Sequence, residues 1–190
     1  MSLRLRVLNR WLRMTQKPQL TNAKTPQALR KRFELEARLF FRAPRHVAFR
    51  REVLHDGGLA VPVQWVGPKG AADDSLILYF HGGAYVFGSP RTHRAMVARL
   101  AVNAGMPACL PDYRKAPENV FPAAVDDALA VYRAVLAAGT APERIILGGD
   151  SAGGGLVLAL LGEICAQGLA QPAATFAFSP LTDLTCSGES

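Results

Sequence analysis

The N-terminal quarter of the chain has apolar residues at helical spacing. In Leu3–Arg13 the leucines recur on one face and the arginines on another, which predicts an amphipathic helix. A second helix is predicted to begin after Thr25 as its N-cap, with Pro26 in the first turn, and to run to Phe40. The stretch Gln16–Lys24 between the two helices is predicted to be a linker.

After Pro44 the pattern becomes that of strands, and then of strands alternating with helices. Val47–Leu54 and Leu59–Val66 predict a β-hairpin, because Asp56-Gly57-Gly58 between them is a turn sequence. Leu76–Phe80 is a continuous apolar run, typical of a buried parallel strand. The remaining predicted elements are a helix over Thr92–Ala104, a strand over Pro107–Leu110, a helix over Pro122–Ala138, a strand over Ile145–Leu147, a helix over Ala152–Gln167 and a strand over Thr175–Phe178. Such alternation predicts an α/β fold, with a mostly parallel sheet and helices on both faces.

Composition narrows the class of protein. Of the 190 residues, 49% are hydrophobic and 19% charged, which is enough apolar material for a packed core. No apolar run reaches the roughly 18 residues of a membrane-spanning helix, and arginines interrupt any signal-peptide core, so we expect a cytoplasmic protein. The three cysteines lack CxxC spacing and predict neither a disulfide framework nor a metal site. No organic cofactor is implied.

The strongest chemical signal is Gly149-Asp150-Ser151-Ala152-Gly153, which matches the pattern G-x-S-x-G. It lies between a predicted strand and a predicted helix, the setting of a nucleophile elbow. Gly149 and Gly153 leave room where so sharp a turn brings backbones together, and Asp150 is interpreted as a residue of the turn. Ser151 is the candidate nucleophile, at a helix N-terminus that favours developing negative charge. The alternatives are a purely structural glycine-rich helix N-terminus and a phosphate-binding loop, and the second would need a lysine that this turn lacks.

A second glycine-rich turn, His81-Gly82-Gly83-Ala84, directly follows the strand Leu76–Phe80. Two glycines at a strand end allow successive N–H groups to point at one spot. With the N–H of Ala152, these donors predict an oxyanion hole for a tetrahedral intermediate. His81 is expected to hold the loop by hydrogen bonds and not to carry protons.

Together these motifs resemble the hormone-sensitive-lipase-like branch of the α/β-hydrolases, which includes many bacterial carboxylesterases. The segments that carry the resemblance are His81–Ala84, Asp112–Glu118, Phe121–Ala124, Gly149–Gly154 and Ser179–Leu184. The resemblance implies Ser151 as nucleophile, with oxyanion donors from Gly82, Gly83 or Ala84 plus Ala152. It also implies a small-molecule substrate, a short- to medium-chain acyl ester. Residues 1–44 would form a helical cap segment and residues 45–190 a partial hydrolase core.

Two departures from the family pattern bear on activity. Ala84 replaces the third glycine of the oxyanion motif. Alanine keeps its N–H donor, so we expect function to survive, but it disfavours the positive φ that glycine adopts. In this fold the catalytic acid and histidine follow the serine in the chain, yet all four histidines precede Ser151. Asp183 belongs to a motif that forms a structural turn in the family, so we do not assign it to the triad. We expect a fragment or truncated product that lacks the C-terminal strands and has little turnover. A non-catalytic ligand-binding protein on a hydrolase scaffold is the alternative.

The charge distribution sets the N-terminal segment apart. Residues 1–51 carry 14 Lys/Arg and 2 acidic residues, whereas residues 52–190 carry 8 and 13. A basic segment of this kind can bind nucleic acid, but no other feature of the sequence supports a nucleic-acid partner, and we expect none. The basic first helix leaves three possibilities: part of the cap, weak contact with an anionic membrane surface, or a solvated arm. We also expect Arg114 and Glu118 to pair, and Asp126 and Asp127 to begin a helix.

Overall fold

The computed structural model describes residues 25–68 and 74–185, together with residues 5–7, 9, 10, 14, 70 and 187. Residues 5–7, 9, 10 and 14 are helical, in keeping with the helix predicted around them. The rest of Leu3–Arg13 and the predicted linker Gln16–Lys24 lie outside the described residues.

The strands and α-helices of residues 25–68 and 74–185 occur in the predicted order, with one 3-10 helix that was not predicted. Their bounds are α1 Pro26–Phe40, β1 Val47–Asp56, β2 Leu59–Pro68, β3 Leu76–Phe80, α2 Pro90–Ala104, β4 Ala108–Pro111, α3 Ala123–Ala137, a 3-10 helix Pro142–Arg144, β5 Ile145–Asp150, α4 Ala152–Ala166 and β6 Ala174–Phe178. Predicted and observed ends differ by at most three residues.

The strands form one sheet in the order β1-β2-β4-β3-β5-β6. β1 pairs with β2 and β2 with β4 in antiparallel fashion, whereas β4, β3, β5 and β6 are parallel neighbours. The predicted, mostly parallel α/β sheet is therefore confirmed. The carboxyl ends of β3 and β5 lie side by side, because Phe80 is in register with Gly149. This pairing places the two glycine-rich turns next to each other.

Helices cover both faces of the sheet. Successive residues of a strand point to opposite faces, and β3 is buried along its whole length. Leu78 and Phe80 pack in one core cluster with residues of α3 and α4. Ile77 and Tyr79 pack in another with residues of α2. β3 is thus the centre of two cores, and its end is held from both sides.

Local sequence explains where the helices near the site begin. The Thr25 side chain accepts a hydrogen bond from the Ala28 N–H, and Pro26 occupies the first turn of α1, as predicted. Ser89 and Thr92 form a capping box at the start of α2. α1 packs against α2. The division into a cap segment and a core at residues 44 and 45 stays a prediction.

Candidate active site

Ser151 lies at the turn between β5 and α4 with φ of 51° and ψ of −122°. Such a conformation costs a non-glycine residue about 1–3 kcal/mol, so the surroundings must hold it. The Ser151 N–H donates to the Phe178 carbonyl at 2.9 Å, and the Ser151 carbonyl accepts from the Leu181 N–H at 2.8 Å. These bonds to β6 and to the loop after it fix the peptide groups on both sides of Ser151.

The glycines of this turn are enclosed by backbone. A Cβ on Gly149 would lie 2.4 Å from the Gly153 carbonyl oxygen, and one on Gly153 would lie 2.1 Å from the Phe80 carbonyl oxygen. Both distances are far below van der Waals contact. The serine turn therefore packs directly on the end of β3, where the second turn begins.

The second turn is left-handed over three residues, with φ of 131° at Gly83, 52° at Ala84 and 59° at Tyr85. The Gly83 carbonyl accepts hydrogen bonds from the N–H groups of Val86 and Phe87, each at 2.9 Å. A Cβ on Gly83 would lie 2.1 Å from the Phe87 carbonyl oxygen. Ala84 does adopt the conformation that alanine disfavours.

Asp150 connects the two turns. Its Oδ1 accepts hydrogen bonds from the Gly82 N–H and the Tyr79 hydroxyl, each at 3.0 Å, and its Oδ2 lies 3.5 Å from His93 Nε2. Burial alone would raise the pKa of Asp150, but the bonds from His93, Tyr79 and Gly82 outweigh it and hold the pKa below its ordinary value. The Gly82 N–H is thus bound to this carboxylate.

His81 is fully buried and stacks on the Tyr113 ring, with ring centroids 4.4 Å apart. Its Nδ1 lies 2.8 Å from the Gly82 carbonyl oxygen, so this nitrogen carries the proton and donates. Burial, followed by the charge of His93, lowers the pKa of His81 to about 3. The ring is neutral near pH 7 and holds the loop through this bond.

A cavity of about 300 Å³ opens over Ser151. Ala84 and neighbouring residues of the second turn line one side of it, and Leu29, Phe33 and Phe87 contribute apolar surface. Among the described residues, the N–H groups of Gly83, Ala84 and Ala152 have no hydrogen-bond acceptor. Gly83 and Ala84 line the cavity, and Ala152 directly follows Ser151 in the chain.

Within the described part of the chain, no histidine is hydrogen-bonded to Ser151. His81 faces the Gly82 carbonyl, and His93 faces Asp150 and Thr92. His46 and His55 are exposed on or beside β1. The described residues also contain no group of three side chains able to hold a metal ion. None of their helices has the length and apolarity to cross a membrane.

The predicted pair between Arg114 and Glu118 is wrong. Arg114 Nε and Nη2 contact Asp127 Oδ1 at 2.9 and 2.8 Å, and the Arg114 N–H donates to the same carboxylate. Glu118 is instead bound by Arg30 of α1. The regular geometry of a helix brings side chains four residues apart together, but residues 114–118 form a loop without that geometry. Asp127, as expected, has a structural role.

Comparison with known proteins shows that this chain is similar to alpha/beta hydrolases in sequence. A family model described as alpha/beta hydrolase fold matches residues 77–190. An acetyl-hydrolase from Streptomyces hygroscopicus is 41% identical over 158 residues, which cover 77% of this chain and 52% of that protein.

Two solved structures extend the likeness to three dimensions. An esterase from the bacterial hormone-sensitive lipase family superposes with a TM-score of 0.86 at 41% identity, covering 95% of this chain and 59% of that one. An esterase/lipase from an uncultured bacterium gives 0.89 at 37% identity, covering 100% and 62%. The chain therefore spans about half to three-fifths of the length of these relatives. The resemblance drawn from the motifs is confirmed.

Proposed function

Because the chain belongs to the alpha/beta-hydrolase family, we propose that it carries the nucleophile and oxyanion hole of a carboxylic ester hydrolase. The observation that supports this most directly is the Asp150 carboxylate bonded to the Gly82 N–H at 3.0 Å, which joins the two turns. One reacting carbonyl can then lie against both Ser151 and the second turn.

In the proposed reaction, Ser151 Oγ attacks the ester carbonyl while its proton passes to a base. The negative charge that develops on the carbonyl oxygen is held by the N–H groups of Gly83, Ala84 and Ala152. Removing one donor from such a site typically raises the barrier by about 3 kcal/mol. The alcohol then leaves with a proton, and water hydrolyses the acyl-serine to release the acid and restore the serine.

Gly82 takes a different part from the one expected. Its N–H already donates to Asp150, so we assign it to positioning of the loop and not to the oxyanion. A Cβ on Gly82 would also lie 2.3 Å from Asp150 Oδ2, so glycine is required for the two turns to meet. Gly83 and Ala84 are left as the donors of this turn.

We propose that the base is a histidine, oriented by an acid, from outside these 190 residues, since no described histidine is hydrogen-bonded to Ser151. The cavity of about 300 Å³ is of the size of small-molecule sites and has apolar walls at Leu29, Phe33 and Phe87. A short- to medium-chain acyl ester fits both features. The acetyl-hydrolase name of one relative agrees with a small acyl group.

The test is covalent labelling with an alkyl fluorophosphonate, with imidazole added as a replacement base, followed by intact-mass measurement. We expect one adduct on the unaltered chain, formed faster with imidazole, and none on Ser151→Ala. The matched control, Ser75→Ala, removes a hydroxyl at the opposite end of β3 and should label normally. Equal labelling of Ser151→Ala, or no adduct in any condition, would contradict the assignment. In the second case, retained binding of a short-chain ester would favour a non-catalytic binding protein.

A further inference from the structure

Arg30 of α1 connects three segments that are far apart in sequence. Its Nε donates to the Val86 carbonyl at 2.7 Å, and its Nη2 donates to the Ala116 carbonyl at 2.7 Å. The same guanidinium binds both carboxylate oxygens of Glu118, at 3.0 and 2.7 Å. Gln27, one turn earlier, also donates to Glu118 at 2.8 Å. Four of the five guanidinium N–H groups are therefore engaged, two by backbone carbonyls and two by the Glu118 carboxylate.

The two carbonyls belong to the loops that surround the candidate site. The Val86 N–H donates to the Gly83 carbonyl at 2.9 Å, so Val86 closes the turn that presents the proposed oxyanion donors. The Ala116 N–H donates to the Tyr85 carbonyl at 2.9 Å, which fastens the neighbouring loop to the same turn. Arg30 therefore binds this turn both directly and through Ala116.

The helix that carries Arg30 also forms part of the cavity wall. Leu29 and Phe33 line the cavity over Ser151, and the Phe33 ring meets Phe87 edge-on with centroids 5.2 Å apart. The position of α1 decides how far these side chains reach over the serine. The Arg30 guanidinium thus joins the helix that forms one wall of the cavity to the turn that lines another side of it.

We propose that Arg30 is a positioning residue that couples the seating of α1 over the cavity to the shape of the Gly83–Phe87 turn. The effect of Arg30 on catalysis rests on the proposed function, whereas the coupling of α1 to the turn is a property of the fold alone. A planar guanidinium can serve two carbonyls and a carboxylate in fixed directions, whereas a lysine ammonium provides one compact centre. The Arg30 side chain is only 25% exposed, and its bonds to the two carbonyls are partly buried, whereas its bonds to Glu118 are exposed to solvent.

The coupling can be measured by hydrogen exchange on the whole chain, without turnover. In Arg30→Ala we expect exchange at Val86, Phe87 and Ala116 to rise at least about 10-fold, the change that loss of one charge-assisted hydrogen bond produces. Exchange within α1 should rise with it, whereas β3 and β5 should keep their protection. Arg30→Lys should give a smaller increase at the same amides.

Arg38→Ala is the matched control, because Arg38 lies on the same helix and makes no hydrogen bond or ion pair among the described residues. It should leave all of these amides unchanged. If Arg30→Ala does not fold, Arg30→Lys and Glu118→Gln provide the same comparison. Faster exchange in α1 with unchanged exchange at Val86, Phe87 and Ala116 would overturn the coupling.

A second measurement separates this inference from the proposed function. With the fluorophosphonate, Arg30→Ala should raise the half-saturating probe concentration and also lower the limiting labelling rate, because the cavity wall and the Gly83–Phe87 turn move together. Leu29→Ala should change the half-saturating concentration and leave the limiting rate. If Arg30→Ala affects only the concentration, the coupling fails while the esterase assignment stands. If neither the unaltered chain nor any variant is labelled but the exchange pattern is as expected, the esterase assignment fails while the coupling stands.

Discussion

Replacement of Asp150 offers a quantitative test of how the two turns are joined. In Asp150→Ala, the Gly82 N–H and the Tyr79 hydroxyl both lose their acceptor. Tyr79 is fully buried, so its hydroxyl has little access to water as a substitute. An unsatisfied buried donor costs about 1–3 kcal/mol, so we expect Asp150→Ala to lower the free energy of unfolding by about 2–6 kcal/mol.

Asp150→Asn should be milder. Its amide oxygen can still accept from Gly82 and Tyr79, and what is lost is the charge that strengthens both bonds and attracts His93. Since bonds to charged groups exceed neutral ones by about 1 kcal/mol, we expect a loss of about 1–2 kcal/mol. The exposed Asp126, in the first turn of α3, supplies the control Asp126→Asn, which should stay within about 0.5 kcal/mol.

The assay is equilibrium unfolding in urea, repeated from pH 7 to pH 3. Because the pKa of Asp150 is lower in the folded chain, its contribution is complete above the unfolded value of about 3.9. It disappears as the pH falls through the folded pKa. The gap between the unaltered chain and Asp150→Asn should therefore narrow below about pH 4. A cost under about 0.5 kcal/mol for Asp150→Ala, or equal costs for both substitutions, would refute the reasoning.

Two further predictions concern single residues. Ala84 has φ of 52°, so Ala84→Gly should relieve about 1–2 kcal/mol of backbone strain, partly offset by the greater chain entropy of glycine in the unfolded state. The free energy of unfolding should rise by about 0.5–1 kcal/mol, which is measured as a higher urea midpoint. An unchanged or lower midpoint would contradict this. Cys109 is fully buried and burial raises the pKa of its thiol, whereas Cys165 is exposed. Iodoacetamide followed by peptide mass mapping should therefore modify Cys165 in the native chain and Cys109 only in urea, and equal native rates would refute the buried position.

The elements that the sequence predicted well are those whose signal is local. Leu76–Phe80 consists of five apolar residues in succession, and it forms the buried strand β3 with the same ends. Thr25 and Pro26 predicted the start of α1 because capping and a fixed φ act within one turn. G-x-S-x-G also indicated a sharp turn, since the requirement for glycine at Gly149 arises from backbone of the same turn.

Other features depend on distant parts of the chain and left no local pattern. Two of the acceptors of Arg30 lie 56 and 86 residues away and are backbone carbonyls, which any residue type provides. Asp150 was interpreted as a turn residue, because its link to Gly82 exists only once β3 and β5 are neighbours. The wrong partner for Arg114 has the same origin, since the correct one, Asp127, is positioned by α3.

For the proposed ester hydrolase, the crowding around the glycines limits where substrate range can change. Any side chain added at Gly83 or Gly153 would collide with a carbonyl of the main chain, which cannot rotate away as a side chain can. Variants with altered selectivity should therefore be sought on α1, at Leu29 and Phe33, where larger or smaller apolar groups meet open cavity. A library confined to these two positions would remodel the cavity wall and leave the two glycine-rich turns in their original geometry.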